Sequence, residues 1–419
     1  MTLSDLSGYN IRPDEAAIAG SALCHACGGA GLFAFYSVRG IPTQTTVLLD
    51  SEQEAREYPR GDVLLGLCTT CGFIQNVLFN PELVDYSLPT EESQAFSPLF
   101  ADYASKLARR LVAEHDLRGK TVLEIGSGKG DFLLALAANG IGKGIGVDPG
   151  FLPDRLSSPS RSLVFMKEFY GPEHTSLTGD LVVARHILEH VPNVREFLML
   201  LAGSTAKTEN GALFLEVPDT GRILDEDAFW DIYYEHCSYF TAESIDSALN
   251  DAGLALDRVE LGFNSQYILG WAHPLDRRPV PGGEEPERAS VATDKVSLFA
   301  ARTSSSIDWW RGRIGGQLDR GGKVAIWGAS SKAVAFISSI AITTLTVVDI
   351  NPHKQGKWLP GVAIEVLPPS ALEEIEPDLV IAMNPAYKGE ILSDLALMGL
   401  TSDLVALGET SGSRFRTTH

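Results

Sequence analysis

The stretch Val122-Leu-Glu-Ile-Gly-Ser-Gly-Lys-Gly-Asp-Phe132 limits what this chain can fold into more than any other. A short apolar strand, Val122 to Ile125, feeds a loop with glycines at 126, 128 and 130. The apolar run Phe132 to Ala138 then continues at helical spacing. Strand, glycine loop and helix in that order belong to a parallel α/β sheet. Glycine supplies positive φ and close backbone approach, and the helix that follows offers unpaired N–H groups with a partial positive charge. Gly-x-Gly-x-Gly alone is a weak signal, shared with dinucleotide loops. Two carboxylates sharpen it. Glu124 stands on the strand before the first glycine, which suits a cationic ligand better than a pyrophosphate. Asp148 ends the next strand, Gly144 to Val147, where a carboxylate can take both ribose hydroxyls.

Four of the five cysteines form a second pattern, Cys24-His-Ala-Cys27-Gly and Cys68-Thr-Thr-Cys71-Gly. Each Cys-x-x-Cys turn offers two thiolates, and four sulfurs close a tetrahedron with no open position, which is a structural zinc site. The long gap implies a small β-insert, Phe33 to Leu67, between the knuckles. His25 is expected to be exposed, and Cys237 to be a packed residue. The net charge of −20 argues against nucleic acid as a partner, because phosphate contacts need clustered Lys and Arg. No apolar run reaches the length of a membrane span and the first residues do not resemble a signal peptide, so the expectation is a cytoplasmic protein that acts on a small molecule. The sequence leaves the oligomeric state open.

Further along, Phe96, Leu99, Phe100, Tyr103, Leu107 and Leu111 recur at helical spacing and predict a helix that covers the sheet. Strands are expected at Ser162–Phe165, Leu181–Ala184, Gly211–Pro218, Leu254–Leu261 and Ser265–Ala272. A Pro- and Gly-rich linker, Pro274–Pro286, leads to a long helix, about Ala289 to Leu318. A second βα alternation follows, with strands at Lys323–Trp327, Leu345–Val348, Leu379–Ala382 and Leu404–Leu407. Its turn, Gly328-Ala-Ser-Ser-Lys332, lacks the full dinucleotide pattern, so substrate holding or scaffolding is expected there rather than a second cofactor. The units are drawn at 1–80, 81–275 and 289–412.

Glu124-x-Gly-x-Gly-x-Gly with Asp148 resembles a class I S-adenosylmethionine (SAM) methyltransferase, a Rossmann-like α/β fold. Cysteine knuckles, such a domain and a smaller Rossmann-like domain in that order resemble the bacterial NDP-deoxysugar C-methyltransferases. The segments that carry this resemblance are the four cysteines, Glu124–Gly130, Ile232-Tyr-Tyr-Glu-His-Cys-Ser-Tyr-Phe240, Gly328–Lys332 and Val348–Gly361. It implies a fold of three parts: an N-terminal zinc-binding domain, a SAM domain and a C-terminal Rossmann-like domain. It implies SAM bound by Glu124, Gly126, Ser127, Gly128 and Asp148, with Glu168 and Phe169 at the adenine and His186 at the carboxyl edge. It implies a sugar site lined by Tyr233, Glu235 and His236, with His236 as base, His190 nearby, and Tyr86 and Lys332 on a sugar-nucleotide substrate. The chain departs from the family at Gly262-Phe-Asn-Ser-Gln266 and Met383-Asn-Pro-Ala-Tyr-Lys388, and has only Tyr86 where a tyrosine-rich loop is usual.

The chemistry follows from the residues as well. Methylating carbon requires a carbanion equivalent, so a proton next to a carbonyl must pass to a base, and an imidazole titrating near neutrality is suited to this. Glu235 and Tyr233 could orient that imidazole or hold a substrate hydroxyl, and a donor at the ketone oxygen would stabilise the enolate. Two other classes stay open: an O- or N-methyltransferase of another small natural product, and a non-catalytic binding protein with a relic SAM domain.

Overall fold

The computed structural model describes residues 11–156, 161–275 and 293–409. The expected linker from residue 276 onward, the helix start at 289–292 and the tail at 410–412 lie outside these. At the N-terminus, β1 (Leu32–Pro42) and β2 (Arg60–Cys68) form an antiparallel pair, and β2 continues onto β3 (Ile74–Asn76). The knuckles are tight turns at the ends of this ladder. Gly28 N donates to Cys24 O and Gly72 N to Cys68 O, and both glycines take φ of +74°. That left-handed conformation is why glycine follows the second cysteine of each pair.

The middle of the chain runs β4 (Thr121–Ile125), β5 (Lys143–Val147), β6 (Leu163–Met166), β7 (Leu181–Arg185) and β8 (Ala212–Pro218), all parallel. After β9 (Ser238–Tyr239) come β10 (Leu254–Gly262) and β11 (Tyr267–Pro274), an antiparallel pair on the edge of β8. The seven strands stand in the order β10-β11-β8-β7-β4-β5-β6. The chain reverses direction across the sheet between β4 and β7, and ligands of open α/β sheets bind at the carboxyl ends beside such a switch point. Val122, Leu123, Leu181, Val182 and Val183 are fully buried because helices cover both faces.

The helix Pro98–Glu114 buries Leu107, Ala108, Leu111 and Val112. Tyr103 also reaches the sheet, where its OH donates to Glu216 of β8 at 2.7 Å, but the residues before it do not cover the sheet as the periodicity predicted. Phe96 and Leu99 are exposed, and Phe100 and Tyr103 pack on Phe263 beyond β10. The apolar spacing is real, but the helix overshoots the sheet edge and its N-terminal half borders a cavity instead.

The last unit holds the helix Thr293–Leu318 and the strands β12 (Val324–Trp327), β13 (Thr346–Val348), β14 (Val366–Leu367), β15 (Leu379–Ala382) and β16 (Asp403–Ala406). They form a parallel sheet ordered β14-β13-β12-β15-β16. β14 is two residues long, too short for any periodic signal. One apolar core joins the three regions. It contains Phe35 and Tyr36 from the N-terminal sheet, Trp230 and Tyr234 from the middle, and Phe299, Trp310 and Phe336 from the last unit.

Candidate active site

The glycine loop takes the form its sequence implies. Gly126 and Gly130 have φ of +73° and +87°, and a Cβ on them would lie 2.9 Å from Ile187 Cδ1 and 2.7 Å from Phe165 Cζ. Glycine is therefore required at both by conformation and by space. Asp148 grips the loop, accepting from Gly128 N at 2.8 Å and Gly150 N at 2.7 Å. Burial raises its pKa, while those two N–H groups pull the other way. Glu124 is fully enclosed, and its Oε2 has no protein partner. Burial pushes its pKa up to about 8, against the opposing pull of Arg185. An orphaned buried carboxyl costs folding free energy unless a cation meets it.

This loop opens into a cavity of about 950 Å³ walled by all three regions. Of the predicted site residues outside the cysteines, the cavity gathers Tyr86, Glu124, Gly126, Ser127, Gly128, Asp148, Phe169, His186, His190, Tyr233, Glu235, His236 and Lys332. Glu168 is absent from the lining, and its carboxylate is turned to His174 Nε2 at 2.9 Å. Phe169 is 60% exposed and meets the edge of Tyr86. A flat apolar ring at the cavity mouth suits an adenine face.

The segment after β8 builds the far wall. Tyr233, Tyr234 and Glu235 are buried rather than part of a surface loop. His236 lies with its ring 4.7 Å from that of His190 and 4.6 Å from that of Tyr233. Burial, then the neighbouring His190, lowers the His236 pKa to about 3, and burial also lowers that of His190. Both imidazoles are thus neutral at physiological pH, but burial takes His236 well away from the near-neutral titration expected of it. His190 Nδ1 lies 3.1 Å from the carbonyl of Glu235, to which only an N–H can donate, so its Nε2 is the bare nitrogen. Tyr86 OH is 3.4 Å from the same Nδ1.

Glu235 is held from the N-terminal region. Its Oε1 accepts from Thr45 N at 3.0 Å and from Thr45 Oγ1, and Oε2 is buried without a partner. Burial raises its pKa to about 7. Tyr233 OH donates to Asp231 at 2.8 Å. Burial and then Asp231 raise its pKa well above that of a free phenol, so it is a donor and not a base.

Several wall residues carried no sequence signal. Asp231 is buried between Arg222 NH2 at 2.6 Å and Lys332 Nζ at 2.8 Å, and those two cations outweigh its desolvation and depress its pKa. Glu189 and Arg222 were likewise unreadable, as was Thr45 behind Glu235, because nothing in a sequence separates them from surface residues. Burial works against the charge on His186, but Glu189 and Glu216 prevail and raise its pKa to about 9. In the last unit Asp349 repeats the grip of Asp148, accepting from Ala329 N at 2.7 Å and Asn351 N at 2.8 Å.

The four knuckle thiols lie within 4.8 Å of one another. Cys24 and Cys71 sulfurs are 3.6 Å apart, and those of Cys27 and Cys68 are 3.7 Å apart. A zinc tetrahedron with bonds of about 2.3 Å has edges of about 3.8 Å. The cluster fits that ion. Glu189, His190 and His236 form a second group with ligand atoms within 4.8 Å of one another.

Comparison with known proteins adds to this geometry. Residues 96–259 match a methyltransferase domain family. The chain is a SAM-dependent methyltransferase. Residues 284–401 match the family described as the C-methyltransferase C-terminal domain. The chain is also similar to C-methyltransferase NovU of Streptomyces niveus, at 26% identity over 294 residues, covering 66% of this chain and 69% of that protein. The methyl transfer is thus to carbon. Among solved structures it resembles magnesium protoporphyrin IX methyltransferase of Synechocystis PCC 6803 with bound SAH. That likeness has a TM-score of 0.33 and 17% identity, over 42% of this chain and 83% of that one. It also resembles a SAM-dependent methyltransferase of Mesorhizobium loti, with a TM-score of 0.32 and 15% identity, over 40% and 97% of the two chains. Among the described residues, no helix of this methyltransferase is long and apolar enough to cross a membrane.

Proposed function

We propose that this methyltransferase transfers the SAM methyl group to the carbon beside the ketone of a 4-keto-deoxysugar nucleotide, with His236 as the base that forms the enolate. The observation that carries the reading is the placement of neutral His236, with His190 and Tyr233 around it, in the same cavity as the glycine loop. SAM supplies an electrophilic methyl; the chain's part is to align the acceptor and manage one proton. Glu124 faces the cationic end of SAM and Asp148 the ribose. His236 takes the proton, and Tyr233, a neutral phenol whose one proton is committed to Asp231, packs against the imidazole and orients it. Four thiolates from Cys24, Cys27, Cys68 and Cys71 hold a structural zinc. The acceptor class is supported by the sequence resemblance and by the reach of the cavity to Gly328, Lys332 and Asp349 of the last unit.

A second reading, another small natural product as acceptor, is favoured by the wall charges. Lys129 is paired with Glu92, Arg185 with Glu216, Arg222 and Lys332 with Asp231, and Lys354 with Asp349. Among the described residues every Lys and Arg on the wall already has a carboxylate, so a diphosphate would have to share its cation with one. Mass spectrometry of purified protein with SAM and a panel of 4-keto sugar nucleotides decides between them. A mass gain of one methyl group on a panel member supports the first reading; none on any member gives the second.

A further inference from the structure

The cysteine knuckles do more than staple the N-terminal sheet: we infer that they set the position of His236, through Gln75 on β3. This rests on the reading of His236 as the base. Gln75 is fully buried, four positions past Cys71. Its Oε1 accepts from His25 N at 2.9 Å and its Nε2 donates to Leu23 O at 3.1 Å. Those two residues flank Cys24, so one side chain ties β3 to the first knuckle while the chain itself ties β3 to the second.

The other edge of β3 holds the catalytic segment. Ile74 pairs with Tyr239 and Gln75 with Ser238, and Asn76 N donates to the carbonyl of Cys237 at 2.9 Å. Cys237 is the residue after His236. β9 has two residues, and among the described residues β3 is its one sheet neighbour. A strand that short has no stability of its own and takes its place from its partner. The opposite side is fastened as well, since Ser238 Oγ donates to Val191 O at 2.7 Å, just past His190. His236 is therefore carried on a segment whose position depends on where β3 lies. β3 in turn is fixed by the two turns that one tetrahedral ion would lock together. Gln75 touches neither cofactor nor cavity; it is a positioning residue.

The test uses the full chain labelled with ¹⁵N-histidine and reads long-range ring correlations, with the His236 signal assigned from His236→Gln. Gln75→Leu removes both side-chain bonds; Gln75→Glu keeps the acceptor for His25 N. Gln75→Leu, and wild type stripped of zinc by a chelator, are expected to shift the His236 and His190 signals. Both should leave His273 on β11 in place, with SAM affinity by calorimetry within about twofold. Gln75→Glu is expected to shift them less. With an acceptor in hand, kcat should fall at least tenfold in Gln75→Leu, with KM for SAM unchanged. If Gln75→Leu does not fold, exchange of zinc for cadmium, whose bonds to sulfur are longer, gives the same readout. An unmoved His236 signal in a folded Gln75 variant or in folded stripped protein overturns the inference. Methylation that survives in His236→Gln would overturn the base assignment instead and leave the ring signals as a separate result.

Discussion

Glu124 and Asp148 line one cavity but are held there by opposite physics. Asp148 has both oxygens engaged by backbone N–H groups, whereas Glu124 has one oxygen buried without a partner. The pKa of Glu124 rises from 4.5 to about 8 on folding. Between those values the folded chain holds a proton that the unfolded chain has lost, so stability present at low pH is lost as pH climbs toward 8. Glu124→Gln should remove that loss, giving a melting temperature that falls less than wild type between pH 6 and pH 9. The ionised form is the one that meets a cation. SAM affinity should therefore strengthen toward pH 8 in wild type and be flat and weaker in the variant, as calorimetry would show. Asp148→Ala should weaken SAM by about 1.5–3 kcal/mol, the usual worth of hydrogen bonds to a charged group. His236→Ala should keep SAM binding and lose 10²–10⁴-fold in turnover, the typical range for removal of a general base. A variant within about threefold of wild type would exclude it as base. Tyr233 would not replace it, since its raised pKa keeps the phenol protonated.

At the scale of elements, the sequence was legible wherever local physics fixes the conformation. β4, its glycine loop and β5 were readable because positive φ and close approach admit only glycine there. The two knuckles were readable because thiol spacing dictates a turn, and Gly28 and Gly72 adopt it. The first turns of Pro98–Glu114 were misread because helical spacing records an apolar face without naming what covers it. Just before the helix, the exposed Phe96 has its ring contact with His353 of the last unit, which no local pattern reveals. The fourth strand of the N-terminal sheet was invisible for the same reason, since Ser238–Tyr239 pairs across more than 160 intervening residues. One outcome belongs at this scale. Cys68→Ser should lower bound zinc below one equivalent by metal analysis and lower the melting temperature, since a structural ion contributes its binding free energy to folding.

The whole molecule explains what the sequence left unread in the site. Gln44 comes from the first region, Glu235 from the second and Lys332 from the third, and only the shared core brings them to one cavity. Lys332→Met should cost about 1–3 kcal/mol, the penalty of an unmade buried bond, because Asp231 keeps Arg222 and Tyr233 but loses one cation. Chemical denaturation measures that loss, and an unchanged midpoint would mean that the middle and last regions do not depend on this tie. The two stretches that depart from the resembled family face each other across the same seam. Gln266 and Asn384 exchange a reciprocal pair of hydrogen bonds at 3.0 and 2.9 Å, and Phe263 lies beside Tyr387. An amide pair carries no net charge, so ionic strength has nothing there to screen. This fastening should therefore hold its register between about 0.05 and 0.5 M salt, a range over which exposed charge pairs fade. The methyltransferase then becomes a gauge of its own acceptor: with the amide pair uncharged and the Asp231–Lys332 pair shielded by burial, a KM that climbs over that range would report the charge of the acceptor, and a level KM would report a neutral one.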